Sequence, residues 1–307
     1  MRNRNALVAA LLTMLVIVGA LPRYDVFAQE GLTKIAEDVY AYVDVKGAGP
    51  SNSFGANAGV IIGKDGIVVI DTLISSKEAK RLIRDIRAIS DKPIKYVINT
   101  HYHLDHTFGN SEFHKLGAII ISHANDKTKA LLNNEHTLKN INTFGLTDKD
   151  MEGTTLSYPT LTFTDKMEID LGNQRLQLVF PNPSHTDGAI FVYLADKRLL
   201  FTGDILFTDF HPFLADGNLR SWIKVLNVIL AMDVERIIPG HGPISSKKDV
   251  QDMKEYIVAF HRKAKQLRAK SEDLETISAE MKKALPLRAE GEWLIKTNIQ
   301  MGYLKKQ

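Results

Sequence analysis

Apolar residues come first in short runs and later at helical spacing. Residues 39–43 read as a strand, and 47–53 as a turn-rich loop. Residues 57–62 and 67–71 are apolar runs joined by Gly63-Lys64-Asp65-Gly66, whose Asp-Gly pair predicts a hairpin. Ala79, Leu82, Ile83, Ile86 and Ile89 recur as one face of a helix, with Ser75 or Ser76 to cap it and Pro93 beyond its end. Strands follow at 94–98 and 118–121, then a helix over 125–133 and a polar connection over 134–160. A second group of strands is expected at 161–163, 167–169, 177–180, 189–194 and 198–202, then a helix at 219–232 and a short strand at 236–238. From Lys247 the pattern is helical, with breaks near Ser271 and Pro286. Strands and helices that occur twice in this order bury their apolar faces best as two sheets back to back, with helices on both outer faces. The expected fold is α/β, a four-layer αββα sandwich over 29–245 with a C-terminal helical extension over 246–307.

Residues 1–28 read as a leader rather than as part of that fold. Arg2 and Arg4 precede an apolar run from 6 to 21, and Val26-Phe27-Ala28 supplies the small residue of a cleavage site. The run is shorter than the roughly 20 residues of a spanning helix. The expectation is a secretory signal peptide cut after Ala28, a secreted protein of the bacterial periplasm, and no stable membrane anchor after cleavage. The chain carries a formal charge of +3, much of it on Arg2, Arg4 and Arg23, so the remainder gives no basic patch for nucleic acid. The 307 residues include no cysteine, which excludes disulfides, thiol nucleophiles and thiolate metal sites. Any metal must be held by histidine and carboxylate.

Such ligands are concentrated in His101-Tyr102-His103-Leu104-Asp105-His106. Four candidates in six residues are not expected all to point at one ion. His101 and His103 fall on one side of an extended segment, while Asp105 and His106, where the chain turns, reach a second position. His185 in Pro183-Ser184-His185-Thr186-Asp187-Gly188, Asp204 in Thr202-Gly203-Asp204 and His241 in Pro239-Gly240-His241-Gly242 each lie at an expected strand end. A single tetrahedral zinc needs only three or four ligands, so this supply points to two metals.

The order H-x-H-x-D-H, a histidine, Gly-Asp and Pro-Gly-His-Gly resembles the metallo-β-lactamase superfamily over about residues 35 to 245. The resemblance implies an αββα sandwich with metals at one sheet rim. It implies a first metal on His101, His103 and His185, a second on Asp105, His106 and His241, and Asp204 bridging them. It further implies two Zn2+ ions, with iron or manganese as alternatives, and a bridging hydroxide that cleaves an ester, thioester, lactone or amide-type bond in a small-molecule substrate. Two cations roughly 3.5–4 Å apart lower the pKa of a shared water toward ~7. Asp105 is the expected catalytic residue, which orients that water and carries a proton to the leaving group.

Subclasses of true lactamases place a cysteine, or no ligand, where this chain has Asp204, so β-lactam cleavage is expected only as a side activity. Iron-dependent redox relatives carry an acidic residue where His103 stands. A non-catalytic envelope metal-binding or relay protein is a further alternative. Asp71, Thr186 and Asp187 are expected to orient ligating histidines. His211, seven residues beyond Asp204, is expected to reach the substrate. Tyr256, Ile257 and Phe260 read as core. Trp293, Ile295, Ile299 and Tyr303 are expected to cover the rim or to form the face of a homo-oligomer.

Overall fold

The computed structural model describes residues 31–304, so the expected leader lies outside the described residues. Twelve strands form two sheets. The first sheet runs β1 (Thr33–Ala36), β2 (Val39–Tyr42), β3 (Ala58–Ile62), β4 (Ile67–Ile70), β5 (Ile94–Ile98), β6 (Ile119–His123) and β7 (Leu161–Phe163), in sequence order. It is antiparallel up to β4 and parallel from there to β7. The second contains β8 (Lys166–Asp170), β9 (Arg175–Val179), β10 (Phe191–Leu194), β11 (Leu199–Phe207) and β12 (Arg236–His241), with β12 parallel to β11 at the edge.

Between the sheets, Ile61, Val68, Ile70 and Ile98 meet Leu176, Leu178, Val192 and Phe201. β3 and β4 are buried on both faces because α1 (Ser76–Ile89) lays Ala79, Leu82 and Ile86 over Val60, Ile67 and Val69 on the outer side. Ser75 caps α1 by accepting from the Glu78 amide at 3.3 Å. On the other outer face, α5 (Leu219–Ala231) and α6 (Lys247–Arg268) bury Trp222, Leu226, Tyr256, Ile257 and Phe260 against the second sheet. α7 (Leu274–Ala284) and α8 (Trp293–Ile299) pack beside them through Ile277, Met281, Ile295 and Ile299, so the C-terminal extension shares this core. The αββα arrangement is as expected. Among the described residues no helix is long and apolar enough to cross a membrane.

Four local differences from the sequence pattern bear on the site. β1 was not expected; its four residues pair antiparallel with β2. The segment after His103 coils into α2 (Leu104–Thr107) and α3 (Asn110–His114). The helix expected over 125–133 is α4 (Ala124–Lys139), which runs longer, and its Asn134 turns inward and donates to the Tyr102 carbonyl at 3.2 Å. β11 and β12 run on through Asp204 and His241 instead of ending before them. Pro239 is tolerated in β12 because that strand lies at the sheet edge.

Candidate metal centre

The seven expected ligands converge from both sheets. β5 ends at Ile98 and delivers His101 and His103, α2 presents Asp105 and His106, and the β9–β10 loop brings His185. Asp204 comes from inside β11 and His241 from the last position of β12. The β11–β12 register slips on both sides of Gly203, and such a bulge re-aims a side chain. Gly203 takes φ +49°, and a Cβ there would lie 2.3 Å from Thr100 Oγ1. Gly240 is needed for a different reason: a Cβ there would stand 1.9 Å from Asp204 Oδ1. Asn57 ties the sheets together here, donating to the Pro239 carbonyl at 2.8 Å and the Gly242 carbonyl at 2.9 Å.

The ligating atoms fall into two sets, His101, His103, His185 and Asp204, and then Asp105, His106 and His241. In the first, His103 Nδ1 lies 3.1 Å from His101 Nε2 and 3.0 Å from His185 Nε2. Asp204 Oδ2 lies 3.6 Å from His101 Nε2 and 3.3 Å from His185 Nε2. In the second, Asp105 Oδ2 lies 3.6 Å from His106 Nε2 and 3.3 Å from His241 Nε2. The other Asp204 oxygen, Oδ1, lies 3.2 Å from His106 Nε2 and 3.4 Å from His241 Nε2. One carboxylate thus gives one oxygen to each set. A tetrahedron with metal–nitrogen bonds of 2.0–2.1 Å has edges of about 3.3 Å, in the middle of these separations. His106 Nε2 and Asp204 Oδ1 are buried without a hydrogen-bond partner among the described residues, although they are close neighbours. Atoms that face one another and yet make no hydrogen bond fit a cation between them. The residues present therefore fit a pair of metal ions.

Four of the five histidines have a partner behind the ring. Asp71 Oδ2 accepts from His106 Nδ1 at 2.9 Å and from the Thr100 hydroxyl at 2.7 Å, and Thr100 Oγ1 lies 3.1 Å from His101 Nδ1. Asp216 Oδ2 accepts from His103 Nε2 at 3.0 Å and from the Tyr102 hydroxyl at 2.8 Å. The Phe54 carbonyl lies 3.2 Å from His241 Nδ1. Each partner accepts a hydrogen from one ring nitrogen and leaves the lone pair of the other for a metal. Asp71 and Phe54 hold these positions with φ of +60° and +52°, a strained backbone for residues with a Cβ.

Burial pushes the pKa of His101 well below its ordinary value and that of His185 down to about 3, against the pull of Asp204, so both rings stay neutral as ligands must. For His106 and His241 burial is outweighed by the surrounding carboxylates, Asp204 first. His106 is raised well above its ordinary value and His241 is pushed up to about 9. For Asp204 burial is outweighed by His241, His106, His101 and His185, which hold it far below the usual carboxylate range. Cations bound here would take over the role of those protons.

Several expectations about neighbouring residues are corrected. His185 Nδ1 has no partner among the described residues; Asp187 is exposed, 3.4 Å from Lys129 Nζ, and the His185 ring is held by packing on Trp222 at 5.3 Å. His211 is buried, its Nδ1 2.7 Å from the Tyr256 hydroxyl, so the ring is engaged with α6. Its backbone amide is bonded to the Glu290 carbonyl, which turns the loop into the C-terminal extension. Asp216, Asn57 and the Phe54 carbonyl were not expected. Asp216 lies in Ala215-Asp216-Gly217, a turn signal that marks a loop but gives no hint of a role.

The sequence model of the Metallo-beta-lactamase superfamily matches residues 52–241. A linear primary-alkylsulfatase from a Pseudomonas species is 27% identical over 226 residues, which cover 62% of this chain and 42% of that protein. An acyl-coenzyme A thioesterase from Homo sapiens is 24% identical over 219 residues, covering 61% of this chain and 72% of that one. The chain spans about half or less of the length of the alkylsulfatase and of a similar 2,4-dinitroanisole O-demethylase alpha subunit from Nocardioides, for which the shares are 42% and 51%. Among solved structures, a sec-alkylsulfatase from Pseudomonas superposes with a TM-score of 0.64 at 17% identity, covering 89% of this chain and 50% of that one. A metallo-beta-lactamase from Pontibacter korlensis superposes at 0.60 and 21% identity, covering 74% and 97%. At these identities the structures speak for the fold alone.

Proposed function

The chain belongs to the metallo-beta-lactamase superfamily, and from that premise we propose that it is a dinuclear, zinc-dependent hydrolase that cleaves an ester-type bond in a small molecule. Thioesters and sulfate esters are the first candidates, because similar proteins are an acyl-coenzyme A thioesterase and alkylsulfatases. β-Lactams come second, on the likeness to a type 2 metallo-beta-lactamase from Elizabethkingia meningoseptica. The observation that carries the reading is the division of Asp204, Oδ2 to His101 and His185 and Oδ1 to His106 and His241.

His101, His103 and His185 would hold one ion, Asp105, His106 and His241 the other, and Asp204 both. Bound there, two zinc ions supply Lewis acidity and make water acidic enough to furnish a nucleophile near neutral pH. The protein's own part is placement. Asp105 turns Oδ2 toward His106 and His241. Its other oxygen can accept a hydrogen bond from the attacking water and later pass a proton to the leaving group. The rings of Phe207, 5.0 Å from His241 and parallel to it, and of Phe213, 5.6 Å from His103, make the surroundings apolar, which strengthens every charge interaction at the site.

The test is a panel of thioester, sulfate ester, lactone and β-lactam substrates, each with and without chelator and with the bound metal measured. Chelator-sensitive turnover on at least one class, with zinc bound, supports the reading. Zinc-loaded protein inert toward every class would turn the assignment to a metal-binding protein without turnover. Export belongs to the same proposal, and N-terminal sequencing of protein from an exporting host should begin at Gln29.

A further inference from the structure

The metallo-beta-lactamase match ends at residue 241, and Trp293 lies well beyond it. The structure nevertheless folds the C-terminal extension back to the metal centre. Phe210 pairs in parallel with Glu290, and the His211 amide donates to the Glu290 carbonyl at 2.9 Å. The Glu290 carboxylate accepts from the amides of Gly47 at 3.0 Å and Ala48 at 3.1 Å, in the loop that precedes β3. That loop ends in Phe54, whose carbonyl faces His241. One acidic residue of the extension therefore pins both loops that border His241.

Trp293 sits directly on this junction. Its ring lies 6.4 Å from Phe54 and 6.0 Å from Phe210, and Phe210 lies 4.8 Å from His241. Trp293 remains 42% exposed, although it packs on two aromatic rings. Phe54 and Leu104, both partly buried, border one small cluster with Ile74, Phe108 and Ile141. Leu104 lies between the ligands His103 and Asp105 in the chain. Phe54, Phe210 and Trp293 thus form an apolar strip beside His241, and its outer end at Trp293 faces solvent. An apolar strip that continues a metal centre is suited to the uncharged hydrocarbon part of a substrate.

The geometry points to Trp293 and Phe54 as a substrate-binding clamp for an uncharged apolar acyl or aryl group, built partly by the C-terminal extension. This rests on the hydrolase reading, and it narrows the substrate to one whose reacting bond carries a hydrocarbon group. Trp293 touches substrate in this scheme and takes no part in proton transfer.

The experiment measures kcat/KM on N-acetylcysteamine thioesters with acetyl, butanoyl and octanoyl groups. Each methylene buried on the strip is worth up to about fourfold, so octanoyl should exceed acetyl by at least about tenfold in the natural protein. The ratio should collapse toward unity in W293A and recover in W293F, while L287A, at a site 94% exposed on the same extension, keeps it. A W293A protein with the natural ratio overturns the clamp. If the zinc-loaded protein turns over no thioester, the activity reading loses support and a binding measurement decides the clamp alone. The chain has two tryptophans, and Trp222 is fully buried. Titration with 1-octanol should shift the emission of the natural protein to the blue and leave W293F unmoved, whereas emission of the natural protein that does not respond overturns the clamp.

Discussion

Asp216 accepts from His103 Nε2 at 3.0 Å and so leaves Nδ1 of the same ring facing His101 and His185. This is the one histidine of the two sets that presents Nδ1 to its neighbours; the others present Nε2. Removal of the carboxylate frees the His103 ring and its tautomer. The expected effect of D216A is a loss of about 10–100-fold in affinity for the first ion, with the second retained. Competition with a zinc chelator reads both affinities. Equal weakening of the two sites would mean that Asp216 does not act through His103.

Gly240 allows the Asp204 carboxylate to stand beside the chain, since a Cβ there would meet Oδ1 at 1.9 Å. G240A should displace that oxygen and cost zinc as well as stability, by roughly 2 kcal/mol or more. Metal analysis and thermal melting of the variant check it. Full zinc content in G240A would contradict the placement of Asp204.

Asn57 satisfies two carbonyls of the Pro239-to-Gly242 turn across the gap between the sheets. N57A leaves those acceptors without their side-chain donor, at an expected cost of about 2 kcal/mol. Denaturant unfolding of the metal-free protein measures it, and that choice separates the loss of the Asn57 hydrogen bonds from any indirect loss of zinc.

Burial, with Arg288 nearby, pushes the pKa of His211 down to about 4. The unfolded chain takes up this proton near pH 6.5, so between these two values it binds more protons than the folded one. Stability from this residue is intact above pH 6.5 and is lost as pH falls toward 4. The difference between pH 8 and pH 5 is about 2 kcal/mol. H211Q should remove that part of the acid dependence, read as a smaller drop in unfolding free energy between the two pH values. An unchanged slope would mean that the ring is not held neutral against Tyr256.

The layers could be read from the chain, and so could the seven side chains that the structure brings together in two sets. Apolar runs of period two and period 3.6 are local signals, and the ligands lie within short motifs that bring strand ends to a common rim. What sequence does not carry is the far side of each ring. Asp71 lies at the end of a strand beside the next one, and its reach to a histidine of the 101–106 cluster was expected; the structure shows that histidine to be His106. Asp216 lies 113 positions from His103 and meets it only because the sandwich closes. Asp187 misled for the opposite reason: it lies two positions from His185 in the chain, which suggested contact, but it is exposed beside Lys129 and does not reach the back of the ring. The burial of His211 was not legible because its loop is tied to the extension through Glu290. Such pairing between segments distant in sequence leaves no periodic trace.

The most direct test of the two-ion centre is zinc stoichiometry of the purified, zinc-saturated protein beside D204A. The natural protein should bind two zinc ions per chain. D204A removes the one carboxylate shared by both sets, and it should bind no more than one tightly and lose chelator-sensitive hydrolysis. Two tightly held ions in D204A, or fewer than one in the natural protein, would contradict the bridge on which the site is built.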